Sequence, residues 1–109
     1  MKKIQKKFIP NTNNRYYATS DGHVFDTKFN RFVAENKSKR GWLKCHIWFD
    51  GKRITIGVHR LIAYAFLGIK DLTINHKNGC KEDNSIANLE YMTKQEQNIH
   101  RSKVLKKGN

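Results

Sequence analysis

The 109-residue sequence has one proline, two cysteines and nine acidic residues, and it lacks a long apolar run. Because Pro10 stands alone and no segment is rich in Pro, Gly or Ser, we expect no flexible linker. Cys45 and Cys80 lie far apart without a CxxC spacing, which argues against a zinc ribbon and predicts two free thiols. The longest apolar run, residues 61–69, is too short to span a bilayer. No apolar segment follows the basic first residues, as a signal peptide requires, so we expect a cytoplasmic protein.

The scarcity of acidic residues leaves a strong positive charge. Against the nine Asp and Glu stand 22 Lys and Arg, which give a formal net charge of +13. This balance indicates a polyanionic partner, and nucleic acid is the leading class because no membrane span is present. The length suits one compact domain or two small modules with a shared core, and it excludes a large multi-site enzyme.

Turn signals in the first half predict short antiparallel strands. Asp21-Gly22 and Asp50-Gly51 each separate two strand-like segments and fit two-residue hairpin loops. If the second loop sets the register, one face of that hairpin is entirely apolar, with the pairs Ile47 and Ile54, Cys45 and Ile56, and Leu43 and Val58. That face is expected to bury against the rest of the molecule.

The opposite face of the second hairpin mixes aromatic and basic side chains. It carries Trp42, Lys44, His46, Trp48 and Arg53. We interpret it as a DNA-binding surface, since cations meet phosphates and aromatic or guanidinium planes lie against sugars and bases. The alternative is an ordinary solvated face.

A helix is predicted over residues 58–68, ending at Gly68. His59 and Arg60 open it, where they either contact a phosphate or, for His59, pack at the junction between sheet and helix. Residues 72–76 then alternate like a strand, residues 77–84 form a polar loop and residues 89–92 form a second strand. Thr93 and Glu96 make a capping box that opens a last helix to about residue 101 or 104.

Three segments of this region resemble the HNH nucleases, in particular the small homing endonucleases of phages. They are residues 58–66 (VHRLIAYAF), 74–79 (INHKNG) and 83–93 (DNSIANLEYMT). The resemblance implies an α+β fold, in which N-terminal antiparallel β hairpins with a packed helix precede a ββα-metal finger. The division it suggests is a basic tail at 1–14, a DNA-binding module at 15–68, a nuclease module at 69–104 and a tail at 105–109.

The resemblance also implies roles for single residues. His76 falls on the general base, and Asn88 falls on the middle Asn, which holds the loop and thereby orients the imidazole. Asn75 falls on the first metal position. The last metal position falls on Gln97 or Asn98, nine or ten residues after Asn88.

Neutral amides at both metal positions imply weak binding of the ion by the protein alone. The scissile phosphate then supplies much of the affinity, which suits Mg²⁺ or Mn²⁺. A free imidazole, with a pKa of about 6.5, accepts a proton at neutral pH. Lys77, Lys81 and Arg101 are expected to add charge stabilisation to the bound DNA; the alternative for the two lysines is a generic surface contact.

The sequence therefore predicts a metal-dependent endonuclease of the phage or homing type, with duplex DNA as its substrate. A monomer with one site is expected to nick, and a symmetric homodimer to cut both strands. Two alternatives stay open. One is a DNA-binding protein with a decayed HNH site, favoured by Gln97 and by the lack of an acidic ligand; the other is a basic RNA-binding domain.

Overall fold

The computed structural model describes residues 3–96 of the chain. These residues form three antiparallel sheets and a ten-residue helix, α1 (Val58–Leu67). The first sheet has the order β1-β2-β3-β4 and the strands β1 (Lys6–Phe8), β2 (Tyr16–Thr19), β3 (Val24–Asp26) and β4 (Arg31–Phe32). The second joins β5 (Asn36–Lys37), β6 (Leu43–Phe49) and β7 (Lys52–Gly57), and the third pairs β8 (Thr73–His76) with β9 (Leu89–Met92). The predicted α+β class is confirmed.

The N-terminal segment is part of the fold, so the prediction of a basic tail over residues 1–14 is wrong. Lys6–Phe8 pairs with β2, and Ile9 is 1% exposed in the hydrophobic core. All three residues of β1 are exposed at the edge of the sheet. Their sequence therefore shows no alternation of buried and exposed residues that would predict a strand. Its position comes from pairing with β2.

The turn between β2 and β3 differs from the predicted two-residue loop. Backbone pairing continues to Thr19 and His23, whose N–H and C=O are 2.8 Å apart, so the loop holds the three residues 20–22. Gly22 takes a φ of +99°, which closes the turn through a bond from its N–H to the Thr19 carbonyl. Gly22 in this turn lies directly against the backbone of Asn84, in the polar loop that follows β8.

The second hairpin has the predicted register. Cys45 pairs with Ile56, Ile47 pairs with Ile54, and the turn residues Asp50 and Gly51 both have positive φ. The third predicted apolar pair, Leu43 with Val58, is wrong, because pairing ends at Lys44 and Gly57 and Val58 begins α1.

The hydrophobic core forms around α1, as the helical periodicity predicts. Leu61 and Ile62 are fully buried and lie among apolar side chains from every sheet. Leu89 of β9 belongs to the same cluster as Val24 of β3. The two halves of the described chain therefore share one core.

The last elements follow the predicted strand, loop, strand and helix order. The Thr93 hydroxyl accepts a bond from the Glu96 N–H at 3.1 Å, and the Glu96 carboxylate accepts one from the Thr93 N–H at 3.4 Å, which confirms the capping box. Residues 94–96 are helical. The rest of the predicted helix lies outside the described residues. In residues 3–96 no helix has the length and hydropathy that crossing a bilayer requires.

Candidate active site

A cleft opens where β8 meets the start of α1. It is lined by Trp42, Gly57, His59, Arg60, Ile74, Asn75, His76, Gly79 and Lys81. The structure thus brings together Asn75, His76, His59, Arg60 and Trp42, all of which the sequence singled out. The lining includes two cations and no carboxylate, so the cleft suits an anion such as a phosphate diester.

His76 ends β8, where its pairing with Leu89 fixes the backbone. Its Nε2 lies 2.8 Å from the side-chain oxygen of Asn84, which is 3% exposed. Sequence reasoning did not single out Asn84, although the residue stands in the motif segment 83–93. The side-chain hydrogen-bond partner of the His76 ring is therefore Asn84, and no hydrogen bond joins Asn88 to His76 among the described residues.

Asn88 closes the loop between β8 and β9, as the resemblance implies. Its Oδ1 accepts a bond from the Asn78 N–H at 3.0 Å. Its Nδ2 donates to the Asn78 side chain at 3.0 Å and to the Asp83 carbonyl at 2.9 Å. Because Asn88 is only 8% exposed, these bonds tie both arms of the loop together away from water.

Asp83 fixes the end of the loop that precedes Asn84. Its carboxylate accepts bonds from the Ser85 hydroxyl at 2.7 Å and from the Asn78 amide at 3.0 Å. The hydrogen bonds from Ser85 hold the pKa of Asp83 below its usual range. The loop is therefore built by its own polar side chains.

His59 packs at the junction between sheet and helix, and its ring also lines the cleft where a phosphate contact is predicted. Its ring centroid lies 5.8 Å from that of Trp42 and 5.2 Å from that of His76. Burial, together with the electrostatic influence of His76 and Arg60, lowers the pKa of His59 to about 4. The ring is neutral at pH 7, and it lines the cleft without adding charge.

The residues predicted to hold a metal ion are described only in part. Asn75 is buried beside His76 and lines the cleft. Its amide oxygen is a type of ligand that binds Mg²⁺ or Mn²⁺. Gln97 and Asn98 lie outside the described residues. Within residues 3–96 no three His, Cys, Asp or Glu side chains are grouped to hold a metal. A single amide ligand beside a cleft with two basic side chains fits a metal ion that a bound phosphate also ligates.

A second groove holds the exposed face of the β6–β7 hairpin. His46, Trp48 and Arg53 line it. Arg31 of β4 also lines it, together with Arg15 and Phe29 from the segments beside the strands of the first sheet. Trp48 is 48% exposed. The aromatic and basic residues predicted on one surface are thus divided between two places.

The other predicted DNA contacts are scattered. Trp42 lies in the first cleft, against His59. Lys44 is half-buried on β6. Lys77 is exposed at the start of the polar loop, and Arg101 lies outside the described residues. Both cysteines are free thiols, Cys45 buried and Cys80 exposed, as predicted.

Residues 57–99 match the family described as HNH endonuclease. The chain is 31% identical to an uncharacterized HNH endonuclease of Acanthamoeba polyphaga mimivirus over 94% of its own length and 32% of the relative. It is 31% identical to the H-N-H endonuclease F-TflII of Escherichia phage T5, over 77% of this chain and 46% of that one. It is 30% identical to the DNA endonuclease I-HmuI of Bacillus phage SP01, over 83% of this chain and 53% of that one.

A solved structure, titled as DNA binding and cleavage by the HNH homing endonuclease I-HmuI, has the same fold. The TM-score is 0.79 at 28% identity, and the match covers 92% of this chain and 58% of that chain. The chain thus spans between a third and just over half of the relatives it matches.

Proposed function

We propose, from the premise that this chain belongs to the HNH endonuclease family, that it hydrolyses phosphodiester bonds in duplex DNA with a divalent metal ion. The observation that carries the proposal is the first cleft. There the His76 imidazole and the Asn75 amide lie beside Arg60 and Lys81, with no carboxylate in the lining. The two cations suit an anionic substrate, and the imidazole can serve as the base in its hydrolysis.

His76 acts as the general base. It takes a proton from a water molecule, whose oxygen then bonds to phosphorus as the bond to the 3′ oxygen breaks. Arg60 and Lys81 attract the phosphate, and the neutral His59 ring leaves His76 without a cationic neighbour on that side. Asn88 keeps the loop folded, so that His76 stays at the end of β8.

Asn75 would hold the metal ion, together with Gln97 or Asn98. When bound, Mg²⁺ or Mn²⁺ polarises the phosphoryl oxygen and stabilises the leaving oxygen. With a single amide ligand among the described residues, the ion binds weakly until DNA contributes its own oxygens.

Duplex DNA is the proposed substrate, on three grounds. The net charge is +13, the second groove offers Trp48 and Arg53 beside further arginines, and a structural relative is titled for DNA binding and cleavage. We propose the phage or homing type of nuclease, acting in the cytoplasm of the host cell. A single copy of the protein is enough to nick one strand, whereas cutting both strands requires a homodimer.

The absence of a carboxylate from the cleft favours one second candidate, a DNA-binding protein with a decayed HNH site. Supercoiled plasmid incubated with the protein in EDTA, Mg²⁺, Mn²⁺ or Zn²⁺ separates the two. The nuclease converts plasmid to open-circle or linear DNA only with metal, and the product distinguishes nicking from double-strand cutting. Retarded plasmid that stays supercoiled with every metal would contradict the nuclease and support the second candidate.

A further inference from the structure

The contact between Asn84 and His76 determines which nitrogen of the imidazole carries the proton. Asn84 Oδ1 is 2.8 Å from Nε2. A carbonyl oxygen only accepts hydrogen bonds, so Nε2 must donate and carry the hydrogen. In the neutral ring the lone pair then belongs to Nδ1, and only a nitrogen with a lone pair can serve as a base.

Asn84 is itself held in place by the N-terminal sheet. A Cβ placed on Gly22 would come within 2.5 Å of the Asn84 carbonyl carbon and 2.7 Å of its oxygen, so the β2–β3 turn lies directly against this backbone. Two residues later, the Ile86 N–H donates to the Ser20 carbonyl at 2.9 Å. The turn thereby fixes the position from which the Asn84 side chain reaches His76.

The rest of the Asn84 amide is poorly satisfied. Its Nδ2 is buried and has no hydrogen-bond partner among the described residues. A buried donor without a partner is unfavourable, so an apolar side chain would suit this position better if only packing mattered. The contact of the amide oxygen with His76 is the observed interaction that distinguishes asparagine from such a side chain.

We propose that Asn84 is the positioning residue that holds His76 as the Nε2–H tautomer, so that Nδ1 is the nitrogen that accepts the proton. The role in cleavage rests on the function proposed above, whereas the tautomer is a property of the protein without DNA. The opposite orientation of the amide, with Nδ2 toward the ring, demands the opposite tautomer, so the two arrangements are distinguishable.

The first test needs the wild-type protein alone. Two-bond ¹⁵N–¹H spectra are recorded for metal-free, ¹⁵N-labelled protein at pH 8, where a free imidazole is neutral. The His76 signals are identified by their loss in His76→Ala. The expected result is a hydrogen on Nε2 and none on Nδ1. A hydrogen on Nδ1, or equal populations of the two tautomers, would overturn the proposal.

Two variants then connect the tautomer to cleavage. Asn84→Leu has a similar size and no acceptor, so we expect a mixture of tautomers and plasmid nicking slower by about 10- to 100-fold. Asn84→Asp keeps an acceptor oxygen and should retain both the Nε2–H tautomer and nicking within about tenfold of wild type. If Asn84 were merely structural, the buried carboxylate of Asn84→Asp would be at least as harmful as leucine.

The outcomes separate this inference from the proposed function. Wild-type protein with the Nε2–H tautomer but no nicking contradicts the nuclease and leaves the positioning contact intact. Nicking by a protein whose His76 is the Nδ1–H tautomer contradicts the positioning role alone. If Asn84→Leu does not fold, the wild-type spectrum and Asn84→Asp still decide the question.

Discussion

Asn88 uses its whole side-chain amide inside the protein. It bonds to Asn78 through both oxygen and nitrogen and to the Asp83 carbonyl, at 8% exposure. We expect Asn88→Ala to lower the free energy of unfolding by about 2 to 4 kcal/mol, because three bonds are lost and their partners stay partly buried. Urea denaturation measures the change. The control is Asn36→Ala on exposed β5, expected within about 0.5 kcal/mol of wild type, and an equal loss in both variants would contradict the role of Asn88.

The depressed pKa of His59 makes stability depend on pH. In the unfolded chain the imidazole takes a proton below about pH 6.5, whereas in the folded protein it does so only at about pH 4. As the pH falls, the unfolded state therefore takes up a proton before the folded state does. The free energy of unfolding should decrease by about 2 kcal/mol from pH 7 to pH 5. Unfolding in urea at the two pH values measures this loss.

The His59→Asn variant isolates that effect. It is expected to be less stable at pH 7, because the packing against Trp42 is lost, but its stability should change little down to pH 5. The lowered pKa of Asp83 affects stability only at lower pH, since its contribution is lost as the pH falls below about 4. If His59→Asn loses as much stability as wild type between pH 7 and pH 5, then His59 is not the source of the pH dependence.

At the scale of elements, the β2–β3 turn connects the first sheet to the polar loop. Gly22 has a φ of +99° and touches the Asn84 backbone, whereas Gly51 in the β6–β7 turn has a φ of +78° and open space around it. Gly51→Ala should cost about 1 to 2 kcal/mol from the left-handed backbone alone. Gly22→Ala should cost at least about 3 kcal/mol, because the backbone contact must also give way. Equal losses in thermal or urea unfolding would contradict the close packing.

The elements differ in how much of their structure the sequence predicts. The β6–β7 register follows from alternation and a two-residue turn, and α1, β9 and the Thr93 cap lie where local patterns place them. Strand β1 was not predicted, because its residues are all exposed and only pairing with β2 makes it a strand. The β2–β3 loop is one residue longer than its Asp-Gly signal suggests, and its contact with the polar loop joins residues too remote in sequence for a local pattern to reveal.

The same division applies to the candidate site. The resemblance to the HNH nucleases, carried by residues 74–79 and 83–93, placed Asn75, His76 and Asn88 together at the loop, and short strands and a tied loop leave little freedom there. The contact of Asn84 with His76 depends on the path of the loop through space, which no local pattern gives. Trp42 lies against His59 of α1 in the first cleft and Trp48 lines the second groove, a division that depends on contacts remote in sequence.

At the scale of the whole molecule, the net charge of +13 predicts DNA binding that is sensitive to salt. With about six phosphate contacts, affinity for duplex DNA should fall about 10³-fold between 50 and 200 mM salt. Arg53→Gln should reduce the slope of log affinity against log salt concentration by about one. Trp48→Ala should weaken binding without changing that slope. Fluorescence anisotropy over a salt series measures both, and affinity independent of salt would contradict an electrostatic binding surface.

The account depends most on His76 as the base of a nuclease. The direct measurement is the rate of metal-dependent nicking of a bound duplex by wild-type and His76→Ala protein, with a gel shift of each on the same DNA. We expect the variant to cut at least about 10²-fold more slowly and to bind within about twofold of wild type, because the imidazole acts on the reacting water and little on affinity. Cutting by His76→Ala at the wild-type rate would contradict the account.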